Sequence, residues 1–433
     1  MPHGTEGLKP LPRPEELPVR VAKVLSLLKQ DGHMAYIVGG AVRDLLLNGA
    51  ADDWDVATSA LPSRVKELFP RNSAKGEKHG SIMAVFDDGT VDITTFRQEG
   101  SYSDLRRPDA VSFLQSVEND LSRRDFTVNA MAWDPYEDVL VDPFGGTDDL
   151  GARIIRAVGE PHARFSEDAL RMMRALRFAS VLCFRVDEEA LRAMRGKAGG
   201  IARVSAERKA AELGRMMSGK CAGAALSSFV TTGLAARLFP DLDPRGMAQA
   251  ARHIDELPPK PLLRLAAFFA CGDTTGPHRV DEASKARAEE LRMSRGARVH
   301  IARLTESLYE GYRLSDGPSA RRWAALLGWE DIEDGIALRS WYDKNIRKHG
   351  NWAEEQETVR KALKGRPALS KDQLMISGTD LVRMTGSPGP KVKALMNKLL
   401  LDVLDSPELN TKERLTLLAW AYLRGKDYGG VEQ

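Results

Sequence analysis

Cysteine is scarce. The 433 residues hold three, Cys183, Cys221 and Cys271, too far apart for the paired spacing of a zinc site, so a reduced, cytoplasmic chain is expected. No stretch approaches the roughly 18 uninterrupted apolar residues of a membrane span. The first twenty residues are rich in proline and lack the apolar segment of a secretory signal. Net charge is almost absent, since 63 basic against 61 acidic residues leave +2. Binding of an acidic polymer would therefore rest on local basic patches. There is no internal repeat and no low-complexity tract, only a flexible-looking start through Pro18. The length suits two to four domains, each with its own core.

What is present centres on residues 35 to 58, AYIVGGAVRDLLLNGAADDWDVAT. Four apolar residues, Ala35 to Val38, lead into Gly39 and Gly40, and Ala41 to Leu47 have helical character closed by Asn48 and Gly49. A strand, tight turn and helix of this kind bring backbone amides and a helix dipole close to a phosphate, with Arg43 in reach. Asp53 and Asp55 flank Trp54 in a stretch that reads as a strand, where residues two apart share a face. Two carboxylates on one face repel unless a cation lies between them, and paired divalent ions suit in-line phosphoryl chemistry. Mg²⁺, with its oxygen ligands, is the expected cofactor. A lone DxD is more often a solvated turn, but the glycine-helix unit before it favours the metal.

The remaining elements predict an α+β chain. Helical periodicity covers Val19 to Lys29, and Leu61 to Phe69 reads as a short helix begun at Pro62. Ser81 to Phe86 and Thr90 to Phe96, around Asp87-Asp88-Gly89, form the clearest hairpin signal. Asp92 lies on its second strand as a candidate third carboxylate, or as a plain solvent-facing residue. A charged loop with Asp104, Arg106 and Arg107 follows. In DLSRRDFTVNAMA, Arg123 and Arg124 suit phosphate, Asp125 can accept from a sugar hydroxyl, and Asn129 can donate and accept. Asp142 to Gly146, in VLVDPFGGTDDL, reads as a structural turn.

Residues 164 to 179, RFSEDALRMMRALRFA, predict one helix with Ser166 as N-cap and Glu167 and Asp168 in its first turn. Met172, Leu176 and Ala179 face the core, while Asp168 and Arg171, three apart, are surface neighbours. An acceptor-only Asp beside a donor-only Arg matches the pairing edge shared by cytosine and adenine and mismatches guanine and uracil. An ordinary ion pair is the simpler alternative. Beyond Asp187 the pattern is mostly helical, with helices over 204 to 217 after Ser205, Leu262 to Ala270, Trp323 to Leu327 and Leu415 to Tyr422.

GGAVRDLLL with DDWDVAT, then RRDFTVNAMA, DPFGG and EDALR, resemble the motifs of the class II tRNA nucleotidyltransferases, the CCA-adding enzymes and the related bacterial poly(A) polymerases. The resemblance implies a polymerase-β-like head of mixed sheet and helices, followed by an all-helical neck, body and tail. The expected boundaries are a flexible start over 1–18, head 19–150, neck 151–215, body 216–370 and tail 371–433. It further implies tRNA, CTP and ATP as partners, Asp168 and Arg171 as a protein template for the base, Glu167 as their support and Arg174 within the nucleotide site. Asp104 and Arg106 resemble the family's flexible loop, although Leu105 replaces its usual glycine. Gly389-Pro390 followed by Lys391, Lys393 and Lys398 resembles an RNA-binding tail. No His-Asp dipeptide occurs, so the phosphohydrolase domain of some relatives is not expected. Poly(A) synthesis, CC-only or A-only addition, and a non-catalytic tRNA-binding role stay open. Oligomeric state is not legible.

Overall fold

A computed structural model describes residues 7–77, 80–99, 111–113, 116–274, 280–308, 314–348 and 352–424. The loop residues Asp104, Arg106 and Arg107 lie outside them. The chain divides into two compact units, Met1–Pro240 and Asp241–Gln433.

The first unit opens with α1 (Val19–Gln30), β1 (Ala35–Val38) and α2 (Gly40–Asn48). Gly39 takes φ 69° at the turn and Gly49 closes α2 in the left-handed conformation, as single residues without Cβ do at little cost. Next come β2 (Asp55–Thr58), α3 (Pro62–Leu68), β3 (Asn72–Ser73) and the hairpin of β4 (Ser81–Phe86) and β5 (Gly89–Thr95). The hairpin turn is tighter than the sequence suggested. Phe86 pairs directly with Gly89, so only Asp87 and Asp88 are in the turn. A short ladder of β6 (Arg97–Glu99) and β7 (Val111–Phe113) precedes α4 (Val117–Ser122).

β8 (Ala132–Asp134) and β9 (Val139–Val141) complete a seven-stranded sheet in the order β3-β4-β5-β2-β1-β8-β9. β2 and β5 run parallel while the other neighbours are antiparallel. Val38, Ala57, Phe96, Leu121, Ala130 and Ala132 form a buried cluster against it. This core fixes the register in which β2 presents its first residue.

After α5 (Gly146–Ala152), whose start is held by Asp142 accepting from the Gly146 and Thr147 amides, the chain is mostly helical. Among its described residues the exceptions are a two-residue parallel ladder of β10 (Ile154–Ile155) and β11 (Arg185–Val186) and an isolated bridge from Ala157 to Phe126. The helix expected over 164 to 179 is two helices, α6 (Pro161–Glu167) and α7 (Leu170–Leu182). α6 is started by Pro161 and capped by Glu160, which accepts from the His162 and Ala163 amides; Ser166 is no cap and donates back to the His162 carbonyl. Asp168 is extended at φ −138°, ψ 105° and breaks the run. Its carboxylate accepts from the Leu170 amide at 2.9 Å, the competition with helical bonding that short acidic side chains offer. Met172, Leu176 and Ala179 are buried.

α8 (Glu188–Lys197), α9 (Ala206–Ser218) and α10 (Ala222–Thr231) follow. Cys183, at the end of α7, and Cys221, at the start of α10, form a disulfide, which corrects the expectation of reduced cysteines. The chain returns beside α7 because Gly219 lies against Ser180, where a Cβ would sit 2.0 Å from the Ser180 hydroxyl. Cys271 is a free thiol, and burial raises its pKa.

The second unit is helical among its described residues. Its apolar helix Pro261–Gly272 is almost wholly buried, and Leu381, Leu399, Val403 and Leu415 anchor a separate cluster near the end of the described chain. Gly389, at φ 142°, precedes the helix Pro390–Asp405, on which Lys391 and Lys393 are exposed and Lys398 lies over the Tyr422 ring. No helix among the described residues is long and apolar enough to cross a membrane.

Candidate active site

A cleft of about 900 Å³ in the first unit gathers residues from four sequence motifs. Gly39, Gly40 and Arg43 line it beside Asp53, Asp55, Arg123, Arg124, Asp125, Asn129, Asp168, Arg171 and Arg174. Nine arginines and six acidic residues line it in all, a local excess of positive charge that the near-neutral chain conceals.

Its acidic pole lies at the start of β2. Asp55 is the strand's first residue, whereas Asp53 is in the bend before it, not on the strand as expected. Trp54, buried between them, anchors the bend. Asp92 is Asp55's register partner on β5 and does not itself line the cleft. Asp55 opens onto the cleft, yet surrounding protein still excludes enough solvent for burial to raise its pKa; Asp92 and Asp53 add to the rise and Arg124 opposes it. Burial, then Asp53, also raises Asp92. Among the described residues no salt bridge reaches these three carboxylates, and no group of three acidic, His or Cys side chains is assembled as a cage.

The basic pole is differently built. Asp120, fully buried on α4, accepts from Arg123 at 2.6 Å and from Arg124 at 3.4 Å. Arg124 also reaches the Asn129 carbonyl, and a Cβ on Gly39 would meet its guanidinium at 2.6 Å. Position 39 thus needs glycine twice, for its positive φ and for this approach. Arg43 donates to Asn129 at 2.6 Å and to its neighbour Asp44. Asp125 accepts from Arg174 at 2.7 Å and from Asn129 at 3.3 Å. Burial alone would raise the Asp125 pKa, but Arg174 and the hydrogen bonds bring it below the usual value. Phe178 carries the guanidinium of Arg177 at 3.8 Å and those of Arg43 and Arg174 at 5.4 and 5.5 Å.

Asp168 and Arg171 both line the cleft but do not pair with each other in the simple way their spacing suggests. Arg171 donates to Glu167 and, at 3.1 Å, to the Arg123 carbonyl. Asp168 accepts from Arg208 of α9 at 2.8 Å. Sequence reasoning missed Asp120, Arg177, Arg208 and Glu212. Only Asp120 left a local signal, standing three and four residues before the two arginines it holds.

The arrangement has what transfer of a nucleotidyl group requires: carboxylates able to take a divalent cation, donors for a polyphosphate, and paired acceptor and donor side chains for a base. Residues 35–156 match the family model described as the poly A polymerase head domain, and 183–245 that of the probable RNA and SrmB-binding site of polymerase A. The chain is a nucleotidyltransferase. It is 37% identical over 400 residues to a CCA-adding enzyme of Geobacillus sp. strain WCH70, covering 90% of this chain and 94% of that one. The crystal structure of the Bacillus stearothermophilus CCA-adding enzyme in complex with CTP superposes with a TM-score of 0.73 at 32% identity, covering 93% of this chain and 96% of the other. The Thermotoga maritima CCA-adding enzyme complexed with tRNA shares the fold at 21% identity and a TM-score of 0.62, over 94% of this chain and 97% of its own. This chain belongs to the CCA-adding enzyme family.

Proposed function

We propose that this enzyme completes the 3′ end of tRNA, adding C, C and A from CTP and ATP with no nucleic-acid template, in the cytoplasm. The observation that carries the reading is the meeting, in one cleft, of the Asp53 and Asp55 carboxylates with the Asp168 and Arg171 pair. The B. stearothermophilus relative binds CTP, and the family likeness extends over nearly the whole chain.

The 3′ oxygen of the RNA attacks the α-phosphorus of the nucleotide as the bond from that phosphorus to the β-phosphate oxygen breaks, releasing pyrophosphate. Arg123, Arg124 and the amides at the start of α2 hold the triphosphate, with Arg43 beside them. Asp125, ionised by Arg174, and Asn129 address the ribose. Asp168 accepts from the exocyclic amine of C or A, and Arg171 donates to the ring nitrogen next to it. Glu167 holds Arg171 for this task. Asp53 and Asp55 fit Mg²⁺, which binds through one or two carboxylates plus substrate phosphates rather than in an all-protein cage. When bound, the ion supplies charge stabilisation at the reacting oxygens. Asp92, one strand over, tunes the charge of Asp55 and is the third carboxylate of the group.

The test is product sizing. tRNA lacking its end is incubated with Mg²⁺ and CTP, ATP or both. Two additions with CTP alone and three with both are expected. Long A tails would replace this reading with a poly(A) polymerase, and arrest after CC or addition of A alone would mark a partial enzyme. Absence of pyrophosphate release would leave only a tRNA-binding protein.

A further inference from the structure

We infer that Arg208 is a specificity-positioning residue: by clamping the Asp168 carboxylate from a second helix, it fixes the plane in which Asp168 presents its remaining lone pairs to the cleft. The inference rests on the base-reading role proposed above for Asp168.

Asp168 sits in the break between α6 and α7, where no helical turn stacks its side chain in place. Its two oxygens are instead held from opposite ends. Oδ1 accepts from the Leu170 amide at 2.9 Å and Oδ2 from Arg208 Nη2 at 2.8 Å. An ionised carboxylate offers about four lone-pair sites, so two bonds fix its plane and leave acceptor capacity for a base amine. The bond from Arg208 is charge-assisted, and the guanidinium fork tolerates little rotation.

Arg208 is placed by protein packing. One turn further along α9, Glu212 accepts from Arg177 of α7 at 2.6 Å, and both side chains are largely buried. That second bridge fixes α9 against α7 with Arg208 facing the break. Arg171 meanwhile spends its donors on Glu167 and the Arg123 carbonyl. The two reading side chains are therefore held apart, each by its own partners. Without Arg208 the Asp168 carboxylate keeps only the Leu170 amide and is free to turn toward the other guanidinium groups that line the cleft. Turned that way, it no longer holds its free lone pairs where a base amine can reach them.

The experiment measures pyrophosphate release with CTP, ATP, UTP and GTP on tRNA lacking its end, for the parent, Arg208→Met, Arg208→Lys and Asp168→Ala. Arg208→Met is expected to lower the CTP-to-UTP and ATP-to-GTP ratios of kcat/KM by about tenfold, mostly through KM for CTP and ATP. Arg208→Lys, which keeps the charge but not the fork, should recover part of that selectivity. A loss spread equally over all four nucleotides would overturn the inference, because a purely structural residue acts so. Parent-like ratios in Arg208→Met alongside lost selectivity in Asp168→Ala would sink the clamp and leave the base reading intact. Parent-like ratios in Asp168→Ala would sink the base reading itself. If Arg208→Met fails to fold, Arg208→Lys decides, and a fully parental ratio there without partial loss counts against the clamp.

Discussion

The two poles of the cleft treat charge in opposite ways. At the basic pole, Arg123, Arg124, Arg171, Arg174, Arg177 and Arg208 each have a carboxylate partner within the protein. At the acidic pole, Asp53, Asp55 and Asp92 crowd together, and burial and mutual repulsion raise the pKa values of Asp55 and Asp92. The arginines are preorganised before any ligand arrives, which lowers the ordering cost of binding. The carboxylates remain under repulsion that a divalent cation would relieve. One side of the site stores geometry, the other stores an unmet charge.

The sharpest way to break this contrast is at the acidic pole. Asp53→Ala or Asp55→Asn should lower nucleotide incorporation on tRNA by about 10³-fold or more, the several kcal/mol expected of lost metal-held charge stabilisation. Asp55→Asn should at the same time raise the melting temperature at neutral pH in chelator. A carboxyl whose folded pKa lies above its unfolded value binds its proton more tightly when folded, so its contribution is favourable in acid and lost as pH rises through the raised value. The gain from Asp55→Asn should therefore vanish below the ordinary carboxylate range, and Mg²⁺ should stabilise the parent but not the variant.

At the basic pole the expected effects are on stability first. Asp120→Ala leaves two guanidinium groups without their buried counter-charge and should cost about 3 kcal/mol in urea unfolding, with a raised KM for both nucleotides. Arg171→Ala should erode preference for CTP and ATP over UTP and GTP by about tenfold, the scale of one unpaired polar group, while tRNA affinity by filter binding changes little. Smallest, Gly39→Ala forces a Cβ into a left-handed residue and against Arg124, and should cost about 1–2 kcal/mol in the same unfolding assay.

Much of this contrast was legible in the sequence, for physical reasons that can be named. Gly39-Gly40 after an apolar run, the DWD acids and RRD are short-range signals, and the structure brings these stretches into one cleft. The hairpin at Asp87-Asp88 and the helix after Ser205 likewise follow from local patterning. The break at Asp168 was hidden because strong helix formers flank it, and only the Glu160-Pro161 start reveals that one helix is already ending there. Arg208 with Asp168, Arg177 with Glu212, and Cys183 with Cys221 are separated by 35 to 40 residues. No periodicity links such positions, since the packing of α7 against α9 and α10 alone joins them. Asp53 was misplaced by two residues because a buried Trp54 imitates strand alternation at the end of a bend.

The Cys183–Cys221 bond makes the chain from the end of α7 to the start of α10 a closed ring that includes α8 and α9. Two arginine-bearing walls of the cleft are thereby hinged at one covalent point. While the bond is intact, the end of α7 and the start of α10 cannot part. A reductant opens the ring without touching any residue that lines the cleft.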